Sequence, residues 1–200
     1  MKLKQLFEEV LKNSQEYIDL KYSDYILLED AILDTYSPLR EADTSEELEK
    51  YEIEREEVIQ KIIKGDFDTD PVLFKESLDR ACNTKHGEYL VSRSLKGLKS
   101  MKTFKIKDLD IGFALKDFGS ESYSEIVALH NNSKYARLGN HLLYAAIKAG
   151  GKYLSCFGEH LKEKLYVTNG FEVYESKEDY QLRNGKIETL YFMKLKRLIR

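Results

Sequence analysis

The sequence predicts an α+β chain in which a helical N-terminal block, residues 1–82, precedes a sheet with flanking helices over residues 86–200. Two observations predict it. Up to about residue 82 the apolar residues recur at three- and four-residue spacing within long charged stretches, the period of a helix with one buried stripe. From about residue 86 they gather instead into short apolar runs separated by turn residues, the texture of strands. At 200 residues the chain is long enough for one ordinary domain, or a smaller core with a helical attachment, and either buries a real core.

The elements follow in order. Leu3, Leu6, Phe7, Val10, Leu11 and Tyr17 give residues 2–19 a helical stripe, and 23–35 (SDYILLEDAILDT) carry a second, shorter one. Thr44 followed three residues later by Glu47 is a capping-box start for a charged helix that reaches Lys64 and stops at Gly65. That helix is expected to face solvent or a partner. Asp70 and Pro71 then restart a helix that ends near Cys82, since proline at the first helical position gives up no needed N–H. Strands are expected at GEYLVSR (87–93), TFKIK (103–107), DIGFALK (110–116) and SEIVALH (124–130), the last apolar through its middle like a strand buried on both faces. A helix over residues 138–149, a strand KYLSCF (152–157), a helix over 159–168 and a strand FEVYE (171–175) come next. Asn184-Gly185 closes a hairpin, and KIETLYFMKL returns as the last strand.

Bulk properties narrow the function classes. The net charge of −3, with 34% charged residues of both signs, offers no basic surplus to a polyanion, so nucleic acid is not the expected partner. Charges interrupt the apolar pattern of the N-terminus, and no window approaches the ~18 apolar residues of a membrane span, so a cytoplasmic chain without a membrane is expected. Cys82 and Cys156 form neither a metal spacing nor a disulfide framework. Asp66, Asp68 and Asp70 mimic the first half of a calcium loop, but Pro71 stands where that loop needs glycine and Ser77 where it needs glutamate, and no metal site is assigned. Cys82 with His86 lacks a third, orienting group for nucleophilic catalysis.

One junction has the right form for chemistry. Residues 131–143, NNSKYARLGNHLL, carry a strand's end through a polar loop into a helix, where unpaired backbone N–H groups and the helix dipole converge on an anion. The plain alternative is a turn with Ser133 as the helix N-cap. His130, closing the strand, has an unperturbed pKa suited to proton transfer, or is a satisfied strand-end histidine.

The order of elements, with SEIVALH, KYARLGNHLL, KEKLYVTNGFEVYE and LYFMKLK, resembles the GNAT superfamily of acyl-CoA-dependent N-acyltransferases over residues 86–200. More narrowly, HGEYLVSRS, DIGFALK, IVALHNNS, AIKAGGKYLSCF and LYVTNGFEVY resemble GNAT-like domains carried by phages and other mobile elements. The resemblance implies a mixed, mostly antiparallel sheet flanked by helices. It also implies an acyl-CoA, acetyl-CoA or a longer one, whose diphosphate sits on the amides of the pattern Q/R-x-x-G-x-G/A. Aligned on Gly139, that pattern assigns Lys134, Arg137, Leu138, Gly139 and Asn140 to the cofactor, with Lys134 at the Q/R position and Arg137 in place of the first glycine. Tyr166 matches the phenol that protonates the leaving thiolate, although a tyrosine beside Leu165 on an amphipathic helix also suits a core. Glu125 matches the glutamate base of the histone-acetyltransferase branch, or is only the solvated start of its strand. Where relatives place an asparagine that bonds the pantetheine arm, this chain has Glu159. The alternative expectation is a non-catalytic GNAT-like module, a phage structural or host-interaction protein in the host cytoplasm or the virion, with residues 1–82 binding a protein partner.

Overall fold

The computed structural model describes residues 45–84, 87–117, 124–158, 162–182 and 185–196. The chain divides into two compact units, residues 1–37 and 38–200, and all described residues belong to the second. The helices expected over 2–19 and 23–35, the Thr44 cap, His86, Glu159 and Asn184 lie outside the described residues.

Helix α1 spans Ser45–Lys64, with Glu46 and Glu47 in its first turn and Lys61 and Lys64 in its last, both favourable to the helix dipole. It ends at Gly65, whose φ of +76° is the left-handed stop that glycine makes without steric cost. The charged helix is not solvated all round, because Val58, Ile59 and Ile62 are buried in the main core. Strand β1, Phe67–Asp68, escapes the sequence pattern because two residues carry no periodicity. Helix α2, Pro71–Cys82, starts as expected: the Asp70 carboxylate accepts from the Val72 N–H at 2.8 Å and Pro71 opens the first turn. Its buried face is Phe74, Ser77, Leu78 and Ala81.

No strand forms over 87–93. A 3-10 turn, Gly87–Tyr89, folds back on the end of α2, so closely that a Cβ at Gly87 would lie 2.3 Å from the Cys82 carbonyl oxygen. Ser94 then caps a short helix α3, Leu95–Leu98, accepting from the Gly97 N–H at 3.1 Å. The remaining elements are β2 (Lys102–Ile106), β3 (Ile111–Asp117), β4 (Ser124–Asn131), helix α4 (Gly139–Lys148), β5 (Gly151–Phe157), a π-helix (Lys162–Val167), β6 (Phe171–Gln181) and β7 (Ile187–Leu195).

The seven strands form one open sheet in the order β1-β2-β3-β4-β5-β7-β6, antiparallel throughout except for the parallel pair β4/β5. The chain is therefore a mixed α+β structure built on a mostly antiparallel sheet. Alternate residues of β3 divide between two clusters. Ile111, Phe113 and Leu115 pack with α1 and α4 on one face, while Ala114 packs with Phe74, Leu78 and Leu98 of α2 and α3 on the other. β3, with all of Ile111–Leu115 buried, is thus the strand covered on both sides. In β4 only Ile126 and Val127 of the expected apolar middle are buried, and Ala128 and Leu129 are half-buried where the strand bulges. β6 is more than twice its expected length. It is largely exposed, with register shifts between Val173 and Glu175 and between Lys177 and Tyr180, and Asp179 at φ +56°.

Candidate functional site

The site begins with the bulge in β4. Gly112 pairs with His130 and Ala114 with Val127, so three steps of β4 face two of β3, and Ala128 absorbs the extra residue at φ +53°. His130 explains why the bulge holds. Its Nδ1 is 2.8 Å from the Ala128 carbonyl and its Nε2 2.8 Å from Ser77 Oγ, which assigns a neutral ring that donates to Ala128 and accepts from Ser77. Burial pushes the imidazole below its ordinary pKa. His130 is a structural pin with both nitrogens used, not a proton carrier.

Below the bulge, β4 and β5 part. Their parallel pairing runs Ser124↔Gly151, Glu125↔Tyr153, Ile126↔Leu154 and stops, although β4 continues to Asn131 and β5 to Phe157. β5 stays paired to β7 through Phe157↔Leu190, so the separation lies on the β4 side alone. Phe157 packs with Leu182, Leu190 and Tyr180, its ring 5.0 Å from that of Tyr180.

The loop from β4 to α4 has two halves. In the first, Asn131 Oδ1 accepts from the Ser133 N–H at 3.1 Å and its hydroxyl at 2.8 Å, and Asn131 Nδ2 donates to the Tyr135 carbonyl at 2.7 Å. Ser133 Oγ accepts from the Tyr135 N–H at 3.1 Å. Ser133 therefore builds the turn and does not cap the helix. Side chains of α1 complete this half: the Tyr51 hydroxyl accepts from the Ala136 N–H at 3.0 Å and donates to the Lys134 carbonyl at 3.3 Å, and Arg55 Nε donates to the Ala136 carbonyl at 3.4 Å. Lys134, assigned to phosphate by the resemblance, is bonded to the Glu54 carboxylate, which also accepts from the Tyr135 hydroxyl at 3.1 Å. The lysine's hydrogen bond, then that of Tyr135, holds Glu54 below the usual carboxylate range.

The second half is different. Arg137 takes φ +63°, so the position where the resemblance expects glycine does adopt the left-handed conformation. A side chain there costs about 1 kcal/mol. Arg137→Gly is accordingly expected to raise the unfolding free energy by about that amount in urea titrations, and a loss would mean that the guanidinium's contacts outweigh the backbone strain. α4 starts one residue on, with Leu138 at the N-cap and no side-chain cap. Its first internal bond is from the Leu142 N–H to the Leu138 carbonyl at 3.0 Å. Among the described residues, the amides of Leu138, Gly139, Asn140 and His141 donate to no protein atom. A Cβ at Gly139 would meet Leu165 only at ordinary contact distance, 3.5 Å, so crowding does not demand this glycine. The Asn140 side chain accepts from Asn169 at 3.0 Å, and His141, lowered to about 4 by burial and then by the Arg55 charge, stays neutral beside the amides.

Tyr166 lies in the π-helix, a rare form that leaves carbonyls unmatched; Thr168 Oγ1 donates to the Lys164 carbonyl at 2.9 Å and Asn169 Nδ2 to that of Leu165 at 2.6 Å. The Tyr166 ring meets the edge of Phe171 and packs on the core cluster that holds Cys156, and burial, with Cys156 second, raises its phenol above the ordinary tyrosine range. Glu125 lies elsewhere. It sits in the still-paired part of β4, on the face of Val127, 3.7 Å from Lys116 Nζ. Tyr166 and Glu125 therefore occupy opposite faces of the sheet. Sequence reasoning missed Tyr51, Glu54 and Arg55, which share one face of α1 at three- and four-residue spacing; with no visible target, that stripe looks like any charged helix surface.

Asp68 and Asp70 spend carboxylate oxygens on local backbone N–H groups, each at 2.8 Å. Among the described residues, no group of three metal-ligating side chains occurs and no helix is long and apolar enough to cross a membrane. No family model matches the chain, and no curated protein matches it.

Proposed function

We propose that the protein is an N-acyltransferase of the GNAT type, moving an acyl group from an acyl-CoA to an amine. The observation that carries this reading is a coincidence at one end of β4: the strand separates from β5 where the unengaged amides of Leu138, Gly139, Asn140 and His141 begin α4. The sheet order, the bulge and the left-handed residue 137 agree with the resemblance read from the sequence.

The residues present fit the diphosphate of CoA, with the four amides and the dipole of α4 holding the charge. CoA supplies an acyl group activated as a thioester. Past Ile126, where β4 pairs with β3 but no longer with β5, backbone N–H groups on the β5 side are suited to polarising a carbonyl oxygen. Tyr166 gives its proton to the departing sulfur as the new C–N bond replaces the C–S bond, although burial makes its phenol a weaker acid than a free tyrosine. The proton lost by the amine passes to solvent water, since Glu125 lies across the sheet beside Lys116. Calorimetry with CoA and acetyl-CoA is expected to show micromolar binding, and Tyr166→Phe to lower turnover by about a hundredfold while leaving that binding in place. Absence of heat with acetyl-CoA and longer acyl-CoAs at high protein concentration overturns the reading.

One observation favours a second reading, a non-catalytic GNAT-like module that binds a protein partner. Two loop amides, those of Tyr135 and Ala136, are already taken by Ser133 and Tyr51, and Lys134 by Glu54. A protein that binds no CoA but holds a partner through residues 1–82 would fit it.

A further inference from the structure

We infer that Tyr51 and Arg55 of α1 are positioning residues that force the left-handed turn at Arg137 and so present the amides of α4; the inference rests on the proposed binding of CoA at those amides. In the resembled pattern a glycine makes this turn unaided. Here the residue is arginine, and its conformation is unfavourable by itself. What precedes it is held at both ends: the Ala136 N–H donates to the Tyr51 hydroxyl at 3.0 Å, and the Ala136 carbonyl accepts from Arg55 Nε at 3.4 Å. The same hydroxyl donates to the Lys134 carbonyl at 3.3 Å, so one oxygen ties two loop peptides to one helix. The bonds at Ala136 fix the peptide before Arg137, and Leu138, fully buried in the main core, fixes the chain after it, so Arg137 is left little choice of φ. α1 is anchored in turn by Val58, Ile59 and Ile62 in the main core, which makes it a rigid support for the clamp. A displaced α1 would let residue 137 relax toward negative φ and turn the following N–H groups away from their shared point. The helix thereby becomes a control element for the site.

The test combines Tyr51→Phe with Arg137→Gly in the full chain. With arginine at 137, Tyr51→Phe is expected to weaken CoA binding about tenfold by calorimetry, roughly the worth of one hydrogen bond. With glycine at 137 the same change is expected to weaken it less than about threefold, since glycine needs no clamp. Equal loss in both backgrounds, no loss, or tighter binding of CoA overturns the inference, the last outcome marking the hydroxyl as a plug on the Ala136 amide. If the unaltered protein binds no CoA, the acyltransferase reading fails and the clamp is still tested by amide hydrogen exchange without ligand. Tyr51→Phe is then expected to speed exchange at residues 138–141 more with arginine than with glycine at 137, and equal rates overturn the clamp by itself.

Discussion

Phe74→Ala is expected to lower the unfolding free energy by about 3–5 kcal/mol, read as a shift of the urea midpoint with little change in slope. Phe74 is fully buried between α2 and the sheet, in one cluster with Leu78, Leu98, Ala114 and Val127. Its ring meets His130 edge to face at 5.4 Å, and its Cε2 would lie 3.2 Å from a Cβ on Gly112. Its strand neighbours, Gly112 and Ala114 of β3 and Val127 and His130 of β4, cannot close inward without losing their register, so the space opens as a cavity instead of collapsing. A loss below about 1 kcal/mol would show that α2 settles onto the sheet, and the account of a rigid double-sided β3 would be wrong. Because His130 borders the same space, the variant also loosens the pin on the β4 bulge.

Stability is expected to fall as the solution is acidified from about pH 6.5 toward pH 4, by about 1–2 kcal/mol from the half-buried His141, whose partial exposure to water weakens the effect, with a further loss in the same direction from the buried His130. The sign follows from depressed imidazoles. In the unfolded chain a histidine takes up its proton near pH 6.5, whereas burial keeps His141 neutral down to about 4 and lowers His130 as well. Between those limits the unfolded chain binds more protons, and each unit of acid favours it. Above pH 6.5 neither form is charged, and the contribution is fully present. Asp110, held low chiefly by the hydrogen bonds of Arg80, and Glu54, held low chiefly by Lys134, add their own losses only under more acid conditions, as the unfolded carboxylates begin to protonate near pH 4. Urea midpoints at pH 7.5, 6, 4.5 and 3 separate the two ranges. A flat profile from pH 7 to 4.5 would contradict imidazoles held neutral in the fold, and His141→Gln is expected to flatten part of the decline.

The parts of the fold legible in the sequence were those with a local cause. Asp70-Pro71 sets the start of α2, Gly65 ends α1, and the apolar runs at 103–107, 110–116, 124–130 and 152–157 mark β2 to β5 within a residue or two. What escaped depends on distant partners. GEYLVSR alternates like a strand, yet Gly87 must pass against the end of α2 and the segment turns instead. β1 exists only because β2 offers it an edge, with Phe67 opposite Ile106. At the candidate site, the helix expected over 138–149 forms as Gly139–Lys148, whereas the left-handed turn at Arg137 and the engagement of Lys134 by Glu54 carry no local signal. Eighty positions separate those two residues, and no periodicity links them.

An open sheet ends in two outer strands, each a row of backbone groups that another chain can join. At one end β1 offers only two residues, too short a template for a second molecule. At the other, β6 is long, but its bulges break the row, Asp179 twists it out of line, and Glu175, Lys177 and Glu178 line it with exposed charge. A copy approaching that margin meets mismatched spacing and like charges facing each other, which disfavours fibril growth even in concentrated solution.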